Sequence, residues 1–497
     1  MKMKRSIRCL LALLLMGHSL VGVSRNYYVD TNGDDGQEGS RLHPWKTLAA
    51  VNRLRIQPGD SVFFQGGQSF AGTLRIGPSV EGDALHPAWI GSYGAGTATI
   101  RSGDSSGIVL YRAVWVSLRG LRLEGSGRKT GNVKDGLAIV NCHHIRVDGI
   151  DITGYQKAGL MIYSSTTITV EKVFAHENGA AGIAVEGSGG KQESRDLKIL
   201  YCRADDNPGD PTNLTNHSGN GIVAGHCTNL LIDHCSATNN GWDMPRIGNG
   251  PVGIWCYEAD SVIIQHCLAY YNKTSVGGAD GGGFDLDGGV TNSIIQYCLS
   301  YGNQGSGYCI FQYWGASPWY HNIIRYNITE DDGGVSDSRA GIYVWNSSGD
   351  DKQFYDCLVY NNTVWNSREA AISYSEKSAH KQFAFYNNIF VGGDSLFRGD
   401  RDKDIFEGND WWILRPSATH AGLGGLKGHF RNPHFNNPGK TRVHVVSALK
   451  AFDNYRIPAG SPLRTGGSDL YGSFRIDTGK LDFNGRLAPI RGIGASF

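Results

Sequence analysis

The central part of the chain alternates short apolar runs with polar, glycine-rich turns, and two registers of this pattern recur. In the first, a Gly or Ala precedes alternating residues, as in DGLAIV, AGLMIY, AGIAVE, NGIVAG, VGIWCY, GGFDLD, SGYCIF, AGIYVW and AAISYS. The second follows about half a repeat later, as in ITVEKVFAH, LKILYCRADDN, LLIDHCSATNN and IIQYCLSYGN. Alternation with a period of two, rich in β-branched and aromatic residues, indicates β-strands.

These registers return every 23 to 39 residues. Two or three short strands per repeat, separated by polar turns, favour a parallel β-helix, in which coils stacked about 4.8 Å apart bury one another's inward side chains. Leucine-rich and helical repeats have different signatures, which the chain lacks. The fold class predicted from the pattern is therefore all-β, a single-stranded parallel β-helix.

Cysteines and asparagines mark one recurring position of the second register. Successive cysteines are 33, 32 and 31 residues apart, and asparagines continue the column: Cys202, Cys235, Cys267, Cys298, Asn327, Asn362 and Asn388. Like residues at one position of stacked coils form a ladder along the axis, where cysteine acts as a small hydrophobe and asparagine hydrogen-bonds to its neighbours. We therefore predict free, buried thiols in this column, although an exported chain would ordinarily favour disulfides.

The flanking segments differ from the repeats. YYVDTNGDDG, HPWKTLAAVN and QPGDSVFFQGG near the start, with NPHF and AGSPLRTGGSDL near the end, resemble right-handed parallel β-helix proteins of the pectin-lyase-like superfamily. That superfamily includes polysaccharide lyases, glycoside hydrolases, esterases and non-catalytic adhesins, so the resemblance implies a fold and leaves the chemistry open. TLAAVNRL is expected to form a short amphipathic helix that caps the open end of the coil.

Four segments are expected along the chain. Residues 1–24 read as a cleaved signal peptide because four basic residues precede a short apolar run. Residues 25–100 form the N-terminal cap and first coils, residues 101–400 the β-helix core, and residues 401–497 an irregular excursion followed by closing strands of the same domain. Within the excursion, Trp411 and Trp412 are expected to pack against the β-helix, with ligand binding as the alternative.

Charge excludes some partners. The formal charge of +1 falls by four, to −3, once Lys2, Lys4, Arg5 and Arg8 are removed with the signal peptide. A nearly neutral chain has no strong electrostatic attraction to nucleic acid or to a membrane surface. We expect a secreted or periplasmic monomer that acts on carbohydrate.

Strand phase then assigns the outward side chains. Because successive residues of a strand face opposite sides, the first and third residues after each Gly, such as Phe284 and Leu286, are predicted to point into the core. The second and fourth must point outward, and on successive coils they are Trp255 and Tyr257, Asp285 and Asp287, Cys309 and Phe311, Tyr343 and Trp345. Two acids between aromatic pairs predict an exposed strip suited to sugars, whose CH faces stack on rings.

Paired carboxyl groups are the machinery of glycoside hydrolysis. Residues two apart on a strand have Cα atoms roughly 6.6 Å apart, and mutual repulsion raises the pKa of one acid so that it can donate a proton. We predict Asp285 and Asp287 as the catalytic centre, with Asp280 as an alternative partner. The predicted substrate-binding residues are Trp255, Tyr257, Glu258, His226, Lys273, Phe311, Tyr343 and Trp345.

Other interpretations stay open at this stage. The aspartates can be solvated strand residues, the DLDG motif can be part of a calcium site although the remaining EF-hand pattern is missing, and the aromatic residues can form a second core under long loops. A polysaccharide lyase would need a cation and a base, for which Lys273, Arg339 and His226 are candidates. A non-catalytic glycan-binding β-helix is the third class. We expect no cofactor, with calcium as the alternative.

Overall fold

A computed structural model describes residues 24–78, 82–189, 193–335, 339–375, 379–401, 403–416 and 425–497. The predicted signal peptide lies outside these ranges except for Ser24. Within them, the chain winds through three parallel sheets, so that each coil contributes one strand to each sheet in turn. The predicted all-β parallel β-helix is confirmed.

The strands of the described residues fall into the three sheets as follows. Sheet A consists of Asn26–Val29, Ser61–Gln65, Ala88–Tyr93, Val114–Arg119, His143–Asp148, Thr166–Glu171, Ser194–Leu200, Cys227–Asp233, Asp260–Gln265, Ile294–Gln296, Asn322–Arg325, Tyr355–Tyr360, Lys381–Tyr386 and Ile405–Glu407. Sheet B consists of Ser69–Ala71, Ala98–Gly103, Leu121–Gly125, Asp151–Thr153, Phe174–His176, Arg203–Asp205, Ser236–Thr238, Leu268–Tyr270, Leu299–Tyr301, Ile328–Glu330, Thr363–Trp365, Ile389–Gly392 and Asp410–Ile413. Sheet C consists of Leu74–Ile76, Ile108–Tyr111, Leu137–Val140, Ala158–Tyr163, Ala181–Glu186, Asn220–Gly225, Val252–Tyr257, Gly282–Leu286, Tyr308–Gln312, Ala340–Asn346, Ala370–Tyr374 and Phe397–Arg398.

The predicted cysteine and asparagine column forms a continuous ladder inside the coil. The backbone N–H of each of Cys202, Cys235 and Cys267 lies 3.4 Å from the sulfur of the next cysteine along the axis. The backbone N–H of Cys298 donates to the Asn327 side chain at 2.9 Å, and the asparagines continue the chain of bonds. The nine cysteines of the described residues are buried and free, as expected.

A second polar ladder, which the sequence reasoning did not anticipate, follows the turns after the sheet B strands. In it, the backbone N–H of one residue donates to the side-chain oxygen of the residue one coil further on, through Asn178, Asn207, Asn240, Asn272, Asn303 and Asp332. Burial raises the pKa of Asp332, the last residue of this ladder, to about 7. The ladder satisfies backbone groups at each corner and so sets the stacking of the coils.

The amino-terminal cap forms as predicted. The helix Leu48–Arg53 is N-capped by the Thr47 side chain, which accepts a hydrogen bond from Ala49 N–H, and it buries Leu48, Ala50 and Val51. Its apolar face lies next to the first sheet C strand. Among the described residues, no helix has the length and hydropathy needed to cross a membrane.

The carboxyl-terminal part departs from expectation in two respects. The predicted irregular excursion still contributes strands Ile405–Glu407 and Asp410–Ile413 to sheets A and B, because Trp411 is buried and stacks on Phe390 with ring centroids 5.0 Å apart. The predicted packing role of Trp411 is therefore confirmed, whereas Trp412 is half-buried.

The predicted closing strands are wrong for residues 425–497. This segment, described throughout, carries the short helices Val446–Ala451, Pro462–Arg464 and Leu470–Phe474 and no strand. It packs on the outer face of sheet B, where Glu330 accepts hydrogen bonds from Gly439, Thr441 and Tyr455.

Candidate active site

Strand register on sheet C agrees with the predicted phase. Asp285 pairs laterally with Trp255 on the preceding coil and with Cys309 on the following one, and Cys309 pairs with Tyr343. The inward neighbours Phe284 and Leu286 are fully buried in the core of the coil. Asp285 therefore belongs to the outward row, between aromatic side chains, as expected.

The expected exposure of this strip is wrong. Trp255 is 3% exposed, Phe311 5% and Tyr343 8%, and Asp285 is only 2% exposed. The reason is that loops joining sheet B to sheet C rise over the outward row, and the rings pack together: Trp255 joins an apolar cluster with Val223 and Val252, while Phe311 and Tyr343 join Cys309. The alternative of a second, outer core is thus correct for part of the strip.

A cavity of about 460 Å³ remains open above this outer core. Its volume lies within the roughly 300–1,000 Å³ usual for ligand pockets. Six of the twelve lining residues are Trp, Tyr or Phe, two are acids, three are other polar residues and one is an alanine. The lining residues are Asn216, His217, Asn249, Trp255, Tyr257, Ala279, Asp280, Asp287, Phe311, Tyr313, Tyr343 and Trp345.

The structure separates the predicted catalytic pair. Asp287 lines the cavity, whereas Asp285 is buried beside it, does not form part of the lining and has an Oδ1 without a hydrogen-bond partner. Burial, followed by the charges of Asp287 and Asp280, raises the pKa of Asp285 well above its usual range. Burial therefore favours the neutral form of the Asp285 carboxyl group.

Asp287 has a different environment. Burial raises its pKa to about 7, with a further increase from the negative charge of Glu258, although the Gly288 N–H donates to its carboxylate at 2.7 Å and acts in the opposite direction. A carboxyl group with a pKa near 7 is half protonated at neutral pH. It can therefore give a proton to a leaving group or take one from water.

Asp280, predicted as the alternative partner, is the second acid in the lining. It precedes strand Gly282–Leu286, with φ at 59°, and its Oδ2 accepts a hydrogen bond of 2.7 Å from the Gly250 backbone. That bond ties the loop before one strand of sheet C to the loop before the next. The cavity therefore brings Asp280 and Asp287 to one space from the two ends of a single strand.

Glycines give the DGGGFDLDGG segment its close packing. A side-chain carbon at Gly288 would lie 2.4 Å from the Tyr313 ring, and one at Gly289 would lie 2.6 Å from the Glu258 carboxylate. Glu258 also accepts a hydrogen bond from Ser317 N–H at 2.7 Å and one from the Tyr313 side chain. Glu258 thus holds the loop that carries Tyr313 over the glycines, and it does not itself line the cavity.

Tyr257 lies flat over Gly225, on the side of the cavity nearer the amino terminus. A side-chain carbon at Gly225 would lie 2.3 Å from the ring, which lets the Tyr257 hydroxyl reach across to Glu186 and donate at 2.7 and 2.8 Å to its two oxygens. Burial raises the pKa of Glu186. Phe311, Tyr343 and Trp345 lie on later coils, so the floor containing Asp287 is left between two aromatic walls.

His217 contributes a polar group that sequence reasoning missed. Its Nδ1 lies 2.9 Å from the Asn220 amide nitrogen, and Asn220 Oδ1 accepts from the Trp255 indole at 3.0 Å. Burial, with a smaller effect of Arg246, lowers the pKa of His217 to about 4. The imidazole is therefore neutral at pH 7, and because the amide donates to Nδ1, the proton resides on Nε2 as a hydrogen-bond donor.

Three predicted substrate-binding residues do not line the cavity. Glu258 supports the Tyr313 loop, His226 packs behind Tyr257 with ring centroids 5.5 Å apart, and Lys273 lies half-buried in a loop. The lining residues that were not predicted, Asn216, His217, Asn249 and Tyr313, come from loops next to the strands. His217 lies in the segment HSGNG and Asn249 in GNGPVG. Polar residues placed directly before a strand of sheet C are the pattern that could have indicated them.

The calcium alternative gains no support at this site. Within the described ranges, a group of three side chains whose ligand atoms converge closely enough to hold a metal ion occurs elsewhere, at Asp233, His234 and His266. Lysine and arginine are absent from the described lining of the cavity. Its described chemistry is therefore aromatic and acidic, with neutral hydrogen-bonding groups.

Solved structures share this architecture at low sequence identity. A GH136 lacto-N-biosidase from Eubacterium ramulus is 16% identical with a TM-score of 0.51, over 77% of this chain and 68% of that one. The alginate lyase AlyGC of family PL6 is 15% identical with a TM-score of 0.52, over 78% and 53%. The pectate lyase Pel9A aligns over 95% and 97% of the two chains, at 14% identity and a TM-score of 0.46. The likeness to the lacto-N-biosidase and to AlyGC, with TM-scores above 0.5, establishes the fold alone.

No curated protein sequence matches the chain significantly. Residues 27–333, more than half of the chain, match the family described as "Pel9A-like, right handed beta helix region". This range includes the strands of sheet C that carry Trp255, Asp285 and Phe311, together with the loops around them. The chain therefore belongs to the Pel9A-like right-handed β-helix family.

Proposed function

We propose that the protein is a secreted glycoside hydrolase that binds a neutral sugar in the sheet C cavity. One observation supports this most strongly: six aromatic rings enclose two carboxyl groups, Asp280 and Asp287, and the described lining holds no lysine or arginine. Aromatic rings stack on the CH faces of sugars, and two acids meet the chemical need of glycosidic cleavage. The fold shared with carbohydrate-active enzymes of both classes is compatible with the proposal.

In this mechanism Asp287 is the general acid. Its raised pKa keeps it protonated near neutrality, so it donates its proton to the glycosidic oxygen as the bond to the anomeric carbon breaks. A second carboxyl group, that of Asp285 or of Asp280, acts on the anomeric carbon, either directly or by activating a water molecule. The Gly250 N–H fixes the position of the Asp280 carboxylate for this step. Neutral His217 donates a hydrogen bond to a sugar oxygen.

Asp285 is the other candidate for the second carboxyl group. Its carboxyl group is buried beside the cavity, which favours the neutral form, and Asp285 stands only two residues from Asp287. We proposed from the sequence that it is catalytic, and that prediction stays open. Asp280 shares the cavity lining with Asp287, whereas Asp285 lies closer to Asp287 along the chain, two residues away instead of seven.

The choice between hydrolase and lyase rests on electrostatics. A lyase abstracts a proton beside a uronate carboxylate, and that substrate carries one negative charge per residue. Two acids in a cavity without a described cation would repel it. A neutral glycan meets no such penalty, which is why we rank hydrolysis first.

Product analysis tests the proposal. The protein is incubated with a panel of plant, algal and host glycans, neutral and uronate-containing, with and without a chelator. We expect new reducing ends from a neutral glycan, no ultraviolet absorbance from an unsaturated uronate, and equal rates with and without the chelator. Unsaturated products, especially if calcium restores their formation after chelation, would identify a lyase and overturn the proposal. Glycan binding with no product would favour the non-catalytic class.

A further inference from the structure

Two histidines occupy equivalent corners of successive coils, between sheets A and B, whereas the cavity lies on sheet C. His234 follows strand Cys227–Asp233 of sheet A, and His266 follows strand Asp260–Gln265. Both have positive φ values, 54° and 50°, and their rings are 4.8 Å apart. The corner conformation that turns the chain from sheet A to sheet B thus repeats with a histidine at each turn.

Both rings approach one carboxylate. Nδ1 of His234 lies 2.8 Å from Asp233 Oδ1, and Nδ1 of His266 lies 2.9 Å from the same oxygen. The three candidate ligand atoms lie within 4.8 Å of one another. In a tetrahedral zinc site with bonds of about 2.0–2.1 Å, ligand atoms are about 3.3 Å apart. The two separations between Asp233 Oδ1 and the histidine nitrogens therefore need to widen by only about 0.4–0.5 Å to admit the ion.

The backbone fixes this arrangement before any ion binds. Asp233 pairs with Gln265 in the parallel register of sheet A, which places His266 one coil beyond His234. Stacked aromatic neighbours limit the rotation of both rings: Tyr201 lies 5.0 Å from His234, and Tyr297 lies 5.2 Å from His266 and almost parallel to it. Preorganised ligands lose little conformational entropy on binding, which favours affinity.

The donor atoms and their access to solvent also suit a cation. Asp233 places one carboxylate oxygen within 2.9 Å of a nitrogen of each imidazole, so an oxygen ligand lies beside two nitrogen ligands. The side chains of Asp233, His234 and His266 are 18%, 35% and 37% exposed. The cluster is open enough for an ion to enter and for water to complete its coordination.

We propose that Asp233, His234 and His266 form a binding site for one Zn²⁺ ion, separate from the sheet C cavity and independent of the proposed hydrolase activity. Two imidazole nitrogens and a carboxylate oxygen suit zinc among the common divalent ions, with solvent in the fourth position. Because the ligands come from two successive coils, the ion joins those coils. It therefore stabilises the folded chain by binding to it in preference to the unfolded one.

Calorimetry on the full-length, untagged protein tests the site, because a histidine tag would itself bind zinc. The protein is treated with a chelator, dialysed and titrated with ZnCl₂. We expect one ion per chain and a melting temperature that rises by a few degrees. Co²⁺ in place of zinc should give the visible absorption of a four-coordinate nitrogen and oxygen site. The nine cysteines of the described residues are buried and form no disulfide, so they do not compete for zinc in the folded protein.

Variants locate the ion. His234→Asn and His266→Asn should each weaken zinc binding at least tenfold and remove the thermal shift, and asparagine tolerates the positive φ at both corners, so folding should persist. His321→Asn is the matched control, because His321 also has a positive φ, is exposed and pairs with a single carboxylate, Asp356, at 3.0 Å. Zinc binding unchanged in the double variant His234→Asn/His266→Asn, or absent from the wild-type protein, would overturn the proposal. In that case the cluster is a hydrogen-bonded pair of histidines on one aspartate.

Discussion

Sheets B and C each bury a carboxyl group on their outer faces, and the two groups differ in how fully they are hydrogen-bonded. On sheet B, Glu330 is 4% exposed and accepts four hydrogen bonds from Gly439, Thr441 and Tyr455. On sheet C, Asp285 is equally buried, but one of its oxygens has no partner and its pKa is raised well above the usual range.

This difference in hydrogen bonding distinguishes Glu330, which has a structural role, from Asp285, which lies at the candidate site. Buried polar groups in proteins are nearly always hydrogen-bonded, and an unpaired one costs free energy. Glu330 meets the rule and fastens the carboxyl-terminal segment to the coil. Asp285 departs from it next to a cavity, which is where perturbed acids concentrate in enzymes. Four predictions test this contrast.

The largest effect should follow loss of either cavity acid. Asp287→Asn removes the proton donor, so it should lower kcat about 10²- to 10⁴-fold with the melting temperature nearly unchanged, and Asp280→Asn should do the same where Asp280 is the second catalytic acid. Steady-state kinetics on the responsive glycan, together with thermal unfolding, measures both. Near-normal turnover in Asp280→Asn would point back to the original pair of Asp285 and Asp287.

Glu330→Gln should have the opposite effect: it should lower stability and leave activity unchanged. A neutral amide cannot accept all of the bonds that the carboxylate accepts, and two of its hydrogens would face the existing donors. We expect the free energy of unfolding to fall by about 2–3 kcal/mol, with kcat per folded molecule unchanged. Urea unfolding followed by fluorescence measures the change. A loss of turnover without a loss of stability would remove the distinction between the two faces.

The pH profile should have a descending limb. Since Asp287 must be protonated to act as the acid and its pKa is raised to about 7, kcat/KM should fall about tenfold per pH unit above that value. Rates measured from pH 5 to 9 in buffers of constant ionic strength would reveal the limb. A rate that stays constant up to pH 9 would exclude Asp287 as the proton donor.

The smallest effect concerns Asp285 itself. A carboxyl group whose folded-state pKa is raised gives its full stability below the unfolded pKa of about 3.9, and that stability is lost as pH rises through the folded value. Asp285→Asn cannot ionise, so its free energy of unfolding relative to wild type should increase as pH rises from 4 to 8. Glu330→Gln is the control. If the difference in free energy of unfolding between Asp285→Asn and wild type is constant from pH 4 to 8, Asp285 does not titrate in this range.

The coil and its phase were predictable because they depend on local alternation. Each Gly-anchored run, such as VGIWCY, places its side chains by parity, and no distant residue can change that without moving the whole row. The cysteine column was visible for the same reason. The second asparagine ladder follows the same repeat, since LLIDHCSATNN and IIQHCLAYYN end on Asn240 and Asn272. It was not predicted because the alternation rule applies to strand residues and these asparagines lie in turns.

Exposure and site composition were not predictable in this way. Whether Trp255 faces solvent depends on the conformation of loops that have no periodicity, and the same loops bring His217 and Asn249 into the lining. Asp280 precedes its strand, so parity along the strand did not apply to it. Its contribution depends on the turn at φ 59° and on the bond from Gly250, which only three-dimensional structure reveals.

The asparagine ladder has a consequence for how such a cavity can diversify. It fastens each corner to the next through the backbone and one amide, immediately before the loops that rise over sheet C. A loop that starts after so firm an anchor can lengthen, shorten or be exchanged without disturbing the coil beneath. Transplanting the segments 208–219 and 241–251 into a related coil would therefore transfer the rim of the pocket, and with it a change in sugar preference, while the host scaffold keeps its melting temperature.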